Sequence, residues 1–348
     1  MLEFYSQPPS KPKGPYQVTP TFSLGDDERA HLEDLLRVEA NPYRDYQSFC
    51  AQLRDRVLPH APDALRQACA RARTRDLASD PVFLIRNCPL GEVPWLDFQR
   101  PLSSKYELKT DFVSEAWLEL MAQLLGSHVV TYSSANNGDH FHDIHPAEDL
   151  AYTITQKTVN TLHFHSDLPN NRVRPDWVHL LSLRNNASNA VFTPIVRNID
   201  LLAFVSDETR ELLRAPIFHA PAAVPTRLVS SYGDSSAGYT EEHPIVFERE
   251  GRTVILYHEG CTTSPHDEGR RALSELDQVL RQVKFDLFLQ EGDFVSIANN
   301  HCVHARHVVD IVDIEAHQHR WIQKTWNVTD LGKYEGMFMP ERIKTSDE

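Results

Sequence analysis

The sequence predicts a mainly β protein with α additions, a sheet core buttressed by helices. Three patterns point there. Strand-like runs dominate after residue 126. Helical spacing is concentrated before residue 76 and again at 115–125. One further amphipathic stretch, 266–283, interrupts the strand-rich half.

In chain order, residues 1–20 hold Pro8, Pro9, Pro12, Pro15 and Pro20 with Gly14, and read as an extended arm. Asp26, Asp27 and Glu28 suit a helix N-terminus, and Leu24, His31, Leu32, Leu35 and Leu36 lie at helical spacing. Tyr46, Phe49, Leu53 and Leu58 mark a second helical pattern. Leu65, Cys69 and Ala70 mark a third, after Pro62 and Asp63. Together they predict a helical layer over 21–80 that buries one face against a core. The apolar run 82–85 reads as a buried strand. Residues 115–125 form an amphipathic helix stopped by Gly126, the residue that most readily leaves a helix through the left-handed region. Strands are then expected at 128–132, 162–165, 178–183, 254–257, 294–298, 308–314 and 320–328. In 266–283, Leu273, Leu276, Val279 and Leu280 share one helical face. The expected organisation is one domain over 21–348. Its β core spans 81–330 and carries the helical insert 266–283.

Composition narrows the function classes. With 41% hydrophobic and 24% charged residues, the body of the chain is expected to fold. The 49 acidic residues outnumber the 35 basic ones, a net charge of −14, so no overall basic face is available for nucleic acid. No apolar run is long enough for a transmembrane helix, so a small molecule is the expected partner rather than nucleic acid or membrane. Cys50, Cys69, Cys88, Cys261 and Cys302 are odd in number and form no C-x-x-C pair, which argues against a disulfide framework and a zinc ribbon. The first residues lack a basic and an apolar signal region, so a cytoplasmic location is expected.

Among 18 histidines, His165 stands out because Asp167 follows it at i+2. In an extended strand both side chains reach the same face and one small cation. A third ligand is expected from 292–306, read as a strand that breaks at Asn299 and Asn300 and presents histidines at its end. His304 is the candidate, with His301 and His307 as alternatives. Two histidines and one carboxylate leave three positions of an octahedral ion open, the facial triad of non-haem iron oxygenases. A zinc hydrolase can use the same donors.

These segments, in this order, resemble the Fe(II)/2-oxoglutarate dioxygenases. The nearest subgroup is the clavaminate synthase-like one, with the arginine and asparagine oxygenases of antibiotic biosynthesis; it overlaps the taurine dioxygenase group. The resemblance covers roughly 80–330. It rests on Gly138 to Pro146, with Asp143-Ile144, on Leu162 to Asp167, and on Gly292 to Arg306, where Ala305 stands for the usual Gly. It implies a double-stranded β-helix core, jelly-roll and cupin-like, and Fe(II) held by His165, Asp167 and His304. It also implies 2-oxoglutarate and O2 as cosubstrates. The far carboxylate of 2-oxoglutarate is expected on Arg320, sixteen residues after His304 and just before Trp321. An Arg fork suits a carboxylate because it donates two parallel hydrogen bonds. The two residues by which this spacing exceeds the subgroup's fall in 313–319, expected as a longer hairpin tip. Thr193, 28 residues after His165, is the expected hydroxyl partner. Arg320, Ile322 and Lys324 would share one strand face, which brings Lys324 near the same pocket. Related halogenases carry Gly or Ala where Asp167 stands, so hydroxylation is favoured over halogenation. Desaturation and cyclisation share the same oxidant and remain open.

The implied substrate is a free or carrier-tethered amino acid, or a derivative, in specialised metabolism. Asp234, Glu259 and Asp267 are candidates for a cationic group, with solvated loop charge as the plain alternative. Asn136, with Asn137, is a candidate for a carboxylate or amide. The loop 230–236 reads as a lid. His258 stands where the subgroup's acidic residue is expected, which speaks against arginine. Two other classes stay open: a non-catalytic metal-binding β-helix protein and a zinc hydrolase.

Overall fold

The computed structural model describes residues 16–132, 135–153, 155–169, 171–220 and 240–338, and the backbone of 344–345. The chain enters through β1 (Phe22–Ser23). The helical layer follows: α1 (Asp26–Leu36), α2 (Tyr46–Gln52), a π-helical turn at Leu53–Val57, and α3 (Asp63–Thr74). Next come β2 (Val82–Arg86), α4 (Pro101–Leu108), α5 (Val113–Leu125), β3 (His128–Tyr132), β4 (His142–Ile144) and β5 (Leu162–His165). The middle holds β6 (Trp177–Arg184), β7 (Ala190–Arg197), α6 (Asn198–Phe204), α7 (Asp207–Leu212), β8 (Val246–Arg249) and β9 (Arg252–Ile255). The last part runs through α8 (Asp267–Val283), β10 (Phe285–Leu287), β11 (Phe294–Ala298), β12 (Cys302–Asp310), α9 (Ile314–Gln318), β13 (Trp321–Val328) and β14 (Lys344–Thr345).

The strands form two sheets and a hairpin. The larger sheet has the order β1-β2-β11-β6-β13-β3-β14, with β4 also on β13. The smaller has the order β10-β7-β12-β5, and β8 pairs only with β9. Both faces of the larger sheet are covered, which is why its strands read as apolar runs rather than alternations. In β2, Phe83 and Ile85 pack with Trp117, Leu120, Phe49 and Leu32 of the helical layer. Val82 and Leu84 point the other way, into a core shared with Leu180, Val295 and Ile322 and with Ile195 of the smaller sheet. The outer face of the smaller sheet takes α6 and α8, where Leu276 and Leu280 meet Val196, Val303 and Ala305. The result is the sheet-rich core buttressed by helices that the sequence predicts. Among the described residues no helix is long and apolar enough to cross a membrane, and all five cysteines are free thiols.

Several boundaries differ for identifiable reasons. Gly126 ends α5 at φ 69° as expected, its N–H bonding back to Ala122 and Gln123. The strand expected at 308–314 instead ends at Asp310. The Asp313 side chain accepts from the Ala316 N–H and caps α9, so a short helix replaces the expected hairpin tip. The strand around 254–257 is β9, outside both sheets, and stops at Ile255. Tyr257 turns away and its hydroxyl donates to Asp277 on α8. The stretch 292–306 does not end on its histidines: it turns at Asn299 to His301 and continues as β12, which carries His304. The outermost strands β1 and β14 come from outside the 81–330 core.

Candidate metal centre

The centre is built from two neighbouring strands of the smaller sheet. β5 and β12 run antiparallel, with His165 directly opposite His304. Asp167 follows His165 by two residues and returns to the same side. Ligand atoms of His165, Asp167 and His304 all lie within 4.8 Å of one another, and no other such group of three occurs among the described residues. His165 Nε2 is 3.2 Å and His304 Nε2 3.6 Å from Asp167 Oδ1. His301 and His307 lie outside the cluster; His307 faces Asp286 at 4.0 Å.

The side chains of this cluster are held by neighbouring groups. The His163 carbonyl can only accept, so His165 Nδ1 donates to it at 2.8 Å. The Nε2 lone pair then points into the centre. The Asp167 backbone is clamped by Asn299, whose Oδ1 accepts from Asp167 N at 2.8 Å and whose Nδ2 donates to Asp167 O at 2.9 Å. The second carboxylate oxygen, Oδ2, takes Lys324 Nζ at 2.9 Å and Trp326 Nε1 at 2.6 Å. Burial pushes the Asp167 carboxyl up. Lys324 above all, with His165 and His304 beside the carboxylate, outweighs it and holds the group well below the usual carboxylate range. Burial holds His304 below the ordinary imidazole value despite Asp167, leaving it the neutral donor a metal requires.

Charge is arranged unevenly around this centre. Arg320 is 4% exposed, and its Nε and Nη1 meet no hydrogen-bond partner among the described residues. Burial alone pushes its guanidinium down to about 10. Arg306, also buried, donates to the carbonyls of Gln156, Thr158 and Asn160. Burial, then Arg320, push it down to about 9. Among the described residues neither guanidinium has a carboxylate on it. A buried cation without a counter-charge is costly, and the free Nε and Nη1 of Arg320 are donors that a carboxylate fits. Thr193 is 5% exposed on β7; the register His304 to Ile195 and His307 to Phe192 sets it across from Arg306, on the face that carries His304.

The other candidates are placed differently. Glu259 is buried, not solvated. Its carboxylate pairs with Arg281 of α8 and accepts from Phe164 N at 3.1 Å, bracing β5. Asp267 begins α8, is exposed and pairs with Arg270. Asn136 is half-buried in a tight turn at φ 49°, its Nδ2 donating to the Phe141 carbonyl at 3.2 Å. Asp234 and the loop 230–236 lie outside the described residues.

Four contributors carried little signal in the sequence. Trp326 sits on the Arg320–Lys324 face two residues further on, so strand alternation finds it once Lys324 is placed. Asn299 was legible only as a strand break. His258 bridges His165 in the backbone, with ring centroids 5.4 Å apart. Burial, then His165 and His163, push it down to about 3. His142 pairs with Lys324 across β4 and β13, lies tilted against Trp326 with ring centroids 4.2 Å apart, and has a buried Nε2 without a partner among the described residues. In the same segment, Asp143 takes Lys105 Nζ at 2.8 Å and Trp321 Nε1 at 3.0 Å. Asp143 therefore fixes β4 against α4 and β13.

Comparison with known proteins agrees with this geometry. The family model described as taurine catabolism dioxygenase TauD, TfdA family matches residues 43–326. Clavaminate synthase 2 of Streptomyces clavuligerus is 24% identical over 235 residues, 66% of this chain and 69% of that protein. A structure of asparagine oxygenase with Fe(II), 2S,3S-3-hydroxyasparagine and succinate superposes with a TM-score of 0.79 at 20% identity, covering 94% of this chain and 99% of that one. The non-heme iron oxygenase OrfP, with Fe, succinate and (3S)-hydroxy-L-Arg, gives 0.72 at 19% identity, covering 94% and 100%. With the family model spanning most of the sequence, the chain belongs to the taurine catabolism dioxygenase TauD, TfdA family.

Proposed function

We propose that this chain is an Fe(II)/2-oxoglutarate-dependent oxygenase that hydroxylates an unactivated C–H of an amino acid or amino-acid-derived small molecule. The observation that carries this reading is a buried His-Asp-His cluster in a core that also buries Arg320, whose Nε and Nη1 have no partner among the described residues. His165, Asp167 and His304 bind the iron. Arg320 takes the far carboxylate of 2-oxoglutarate, with Thr193 as its hydroxyl partner. Bound together, iron, 2-oxoglutarate and O2 supply an oxidant able to take hydrogen from an unactivated carbon. The protein positions that carbon and keeps water out. A zinc hydrolase with the same donors would leave the buried Arg320 guanidinium without a role.

The substrate class rests on the relatives. Asparagine oxygenase is described with hydroxyasparagine and OrfP with hydroxyarginine, which supports an α-amino acid, free or tethered to a carrier. Glu259 and Asp267 are each already paired with an arginine. With His258 beside His165, the arrangement favours a neutral or amide-bearing side chain over a cationic one. Succinate release tests the reading. Protein loaded anaerobically with Fe(II) and 2-oxoglutarate is exposed to O2 with asparagine, histidine, arginine, lysine or ornithine. Stimulation by asparagine or histidine beyond arginine is expected. No turnover dependent on both Fe(II) and 2-oxoglutarate would overturn the class, and stimulation by arginine alone would overturn the side-chain preference.

A further inference from the structure

We infer that Lys324 is a positioning residue that strengthens the dependence of metal uptake on 2-oxoglutarate, an inference that rests on the metal reading above. Lys324 lies on β13 in the larger sheet, is 2% exposed, and places Nζ 2.9 Å from Asp167 Oδ2. Trp326 Nε1 donates to the same oxygen, while Oδ1 faces His165 and His304. Asp167 therefore meets an ion through Oδ1 only.

Lys324 also changes the charge of the centre. Two neutral imidazoles and one carboxylate carry one negative charge; the buried ammonium on that carboxylate cancels it. A divalent ion entering alone meets a donor set already neutralised. It adds two positive charges to a core that also buries Arg320 and Arg306, which have no carboxylate partner among the described residues. Uncompensated charges in such surroundings are costly. A dianion that reaches both the metal and Arg320 offsets that charge. Metal and dianion therefore favour each other's binding, and by linkage the coupling is reciprocal. A lysine that only filled space would leave this coupling untouched.

The test is titration of the full-length apo-protein with Mn(II) by calorimetry, with and without 2-oxoglutarate and without O2. For the wild type, 2-oxoglutarate should raise metal affinity on the order of tenfold or more. Lys324→Met should bind Mn(II) alone about tenfold more tightly than wild type and show a correspondingly smaller coupling, the remainder coming from contact of the dianion with the metal itself. Lys324→Gln keeps a donor to Asp167 without the charge and should behave like Met, which separates charge from lost packing. Lys324→Arg should retain the coupling. Unchanged coupling in both neutral variants, with Mn(II) still bound, would overturn the role of Lys324 and leave the metal reading standing. Absence of Mn(II) binding in the wild type under both conditions would overturn both.

Discussion

Asp167 and Arg320 are buried alike, each 4% exposed, yet they stand in opposite circumstances. Asp167 has its backbone clamped by Asn299 and its side chain flanked by two imidazoles, an ammonium and an indole N–H. Arg320 has two guanidinium nitrogens with no partner among the described residues. A folded chain normally satisfies its buried polar groups. Arg174 likewise has two unpartnered nitrogens, but it still donates through Nη2 to the Ile255 carbonyl at 3.2 Å. One half of the site is preorganised by the protein itself. In the function proposed above, the other half is completed by a ligand.

The largest effect should come from breaking the saturated half. Asp167→Ala removes one ligand and leaves Lys324 buried without its partner. Coupled hydroxylation should be lost, and the apo-protein should fold but lose about 3–5 kcal/mol of stability, read from urea unfolding. Full product formation by this variant would show that the wrong carboxylate has been chosen. Arg320→Met sharpens the contrast. Removing a buried charge that has no partner should leave apo stability unchanged or raise it. Affinity for 2-oxoglutarate should fall by roughly 1.5–3 kcal/mol per charge-assisted hydrogen bond lost. A loss of stability like that of Asp167→Ala would mean that Arg320 already has a structural partner.

Smaller changes probe the support around each half. Asn299→Ala frees the Asp167 backbone and should weaken metal binding about 10–100-fold, measurable by Mn(II) titration, without altering 2-oxoglutarate affinity at saturating metal. Thr193→Val should have the smallest effect, about 0.5–1.5 kcal/mol in 2-oxoglutarate affinity. An unchanged affinity would return Thr193 to the role of an ordinary strand residue.

The two halves were also unequally legible in the sequence. His165 and Asp167 are two residues apart, and period-2 alternation alone sets them on one face. His304 needed the family's motif order, because its distance from His165 is fixed by strand pairing that local pattern cannot encode. The ion pair of Lys324 with Asp167 spans 157 residues and two sheets. Only the shared strand face with Arg320 hinted at it. Local pattern found the buried strands β2, β3, β5 and β11 and the helices α5 and α8. It missed the short helices α4, α6 and α7, where few apolar positions repeat. α9 was misread because Asp313 acts as a cap within a stretch of strand-forming residues. Glu259 looked like a loop charge because its partner, Arg281, lies a helix away.

The most direct test of the account is anaerobic titration of 2-oxoglutarate into Mn(II)-loaded wild type and Arg320→Ala, each repeated on the metal-free protein. The account predicts tight binding to metal-loaded wild type and marked weakening when either the metal or Arg320 is removed. Equal affinity in wild type and variant, or binding indifferent to the metal, would contradict a single site shared by the His-Asp-His cluster and the unpartnered arginine.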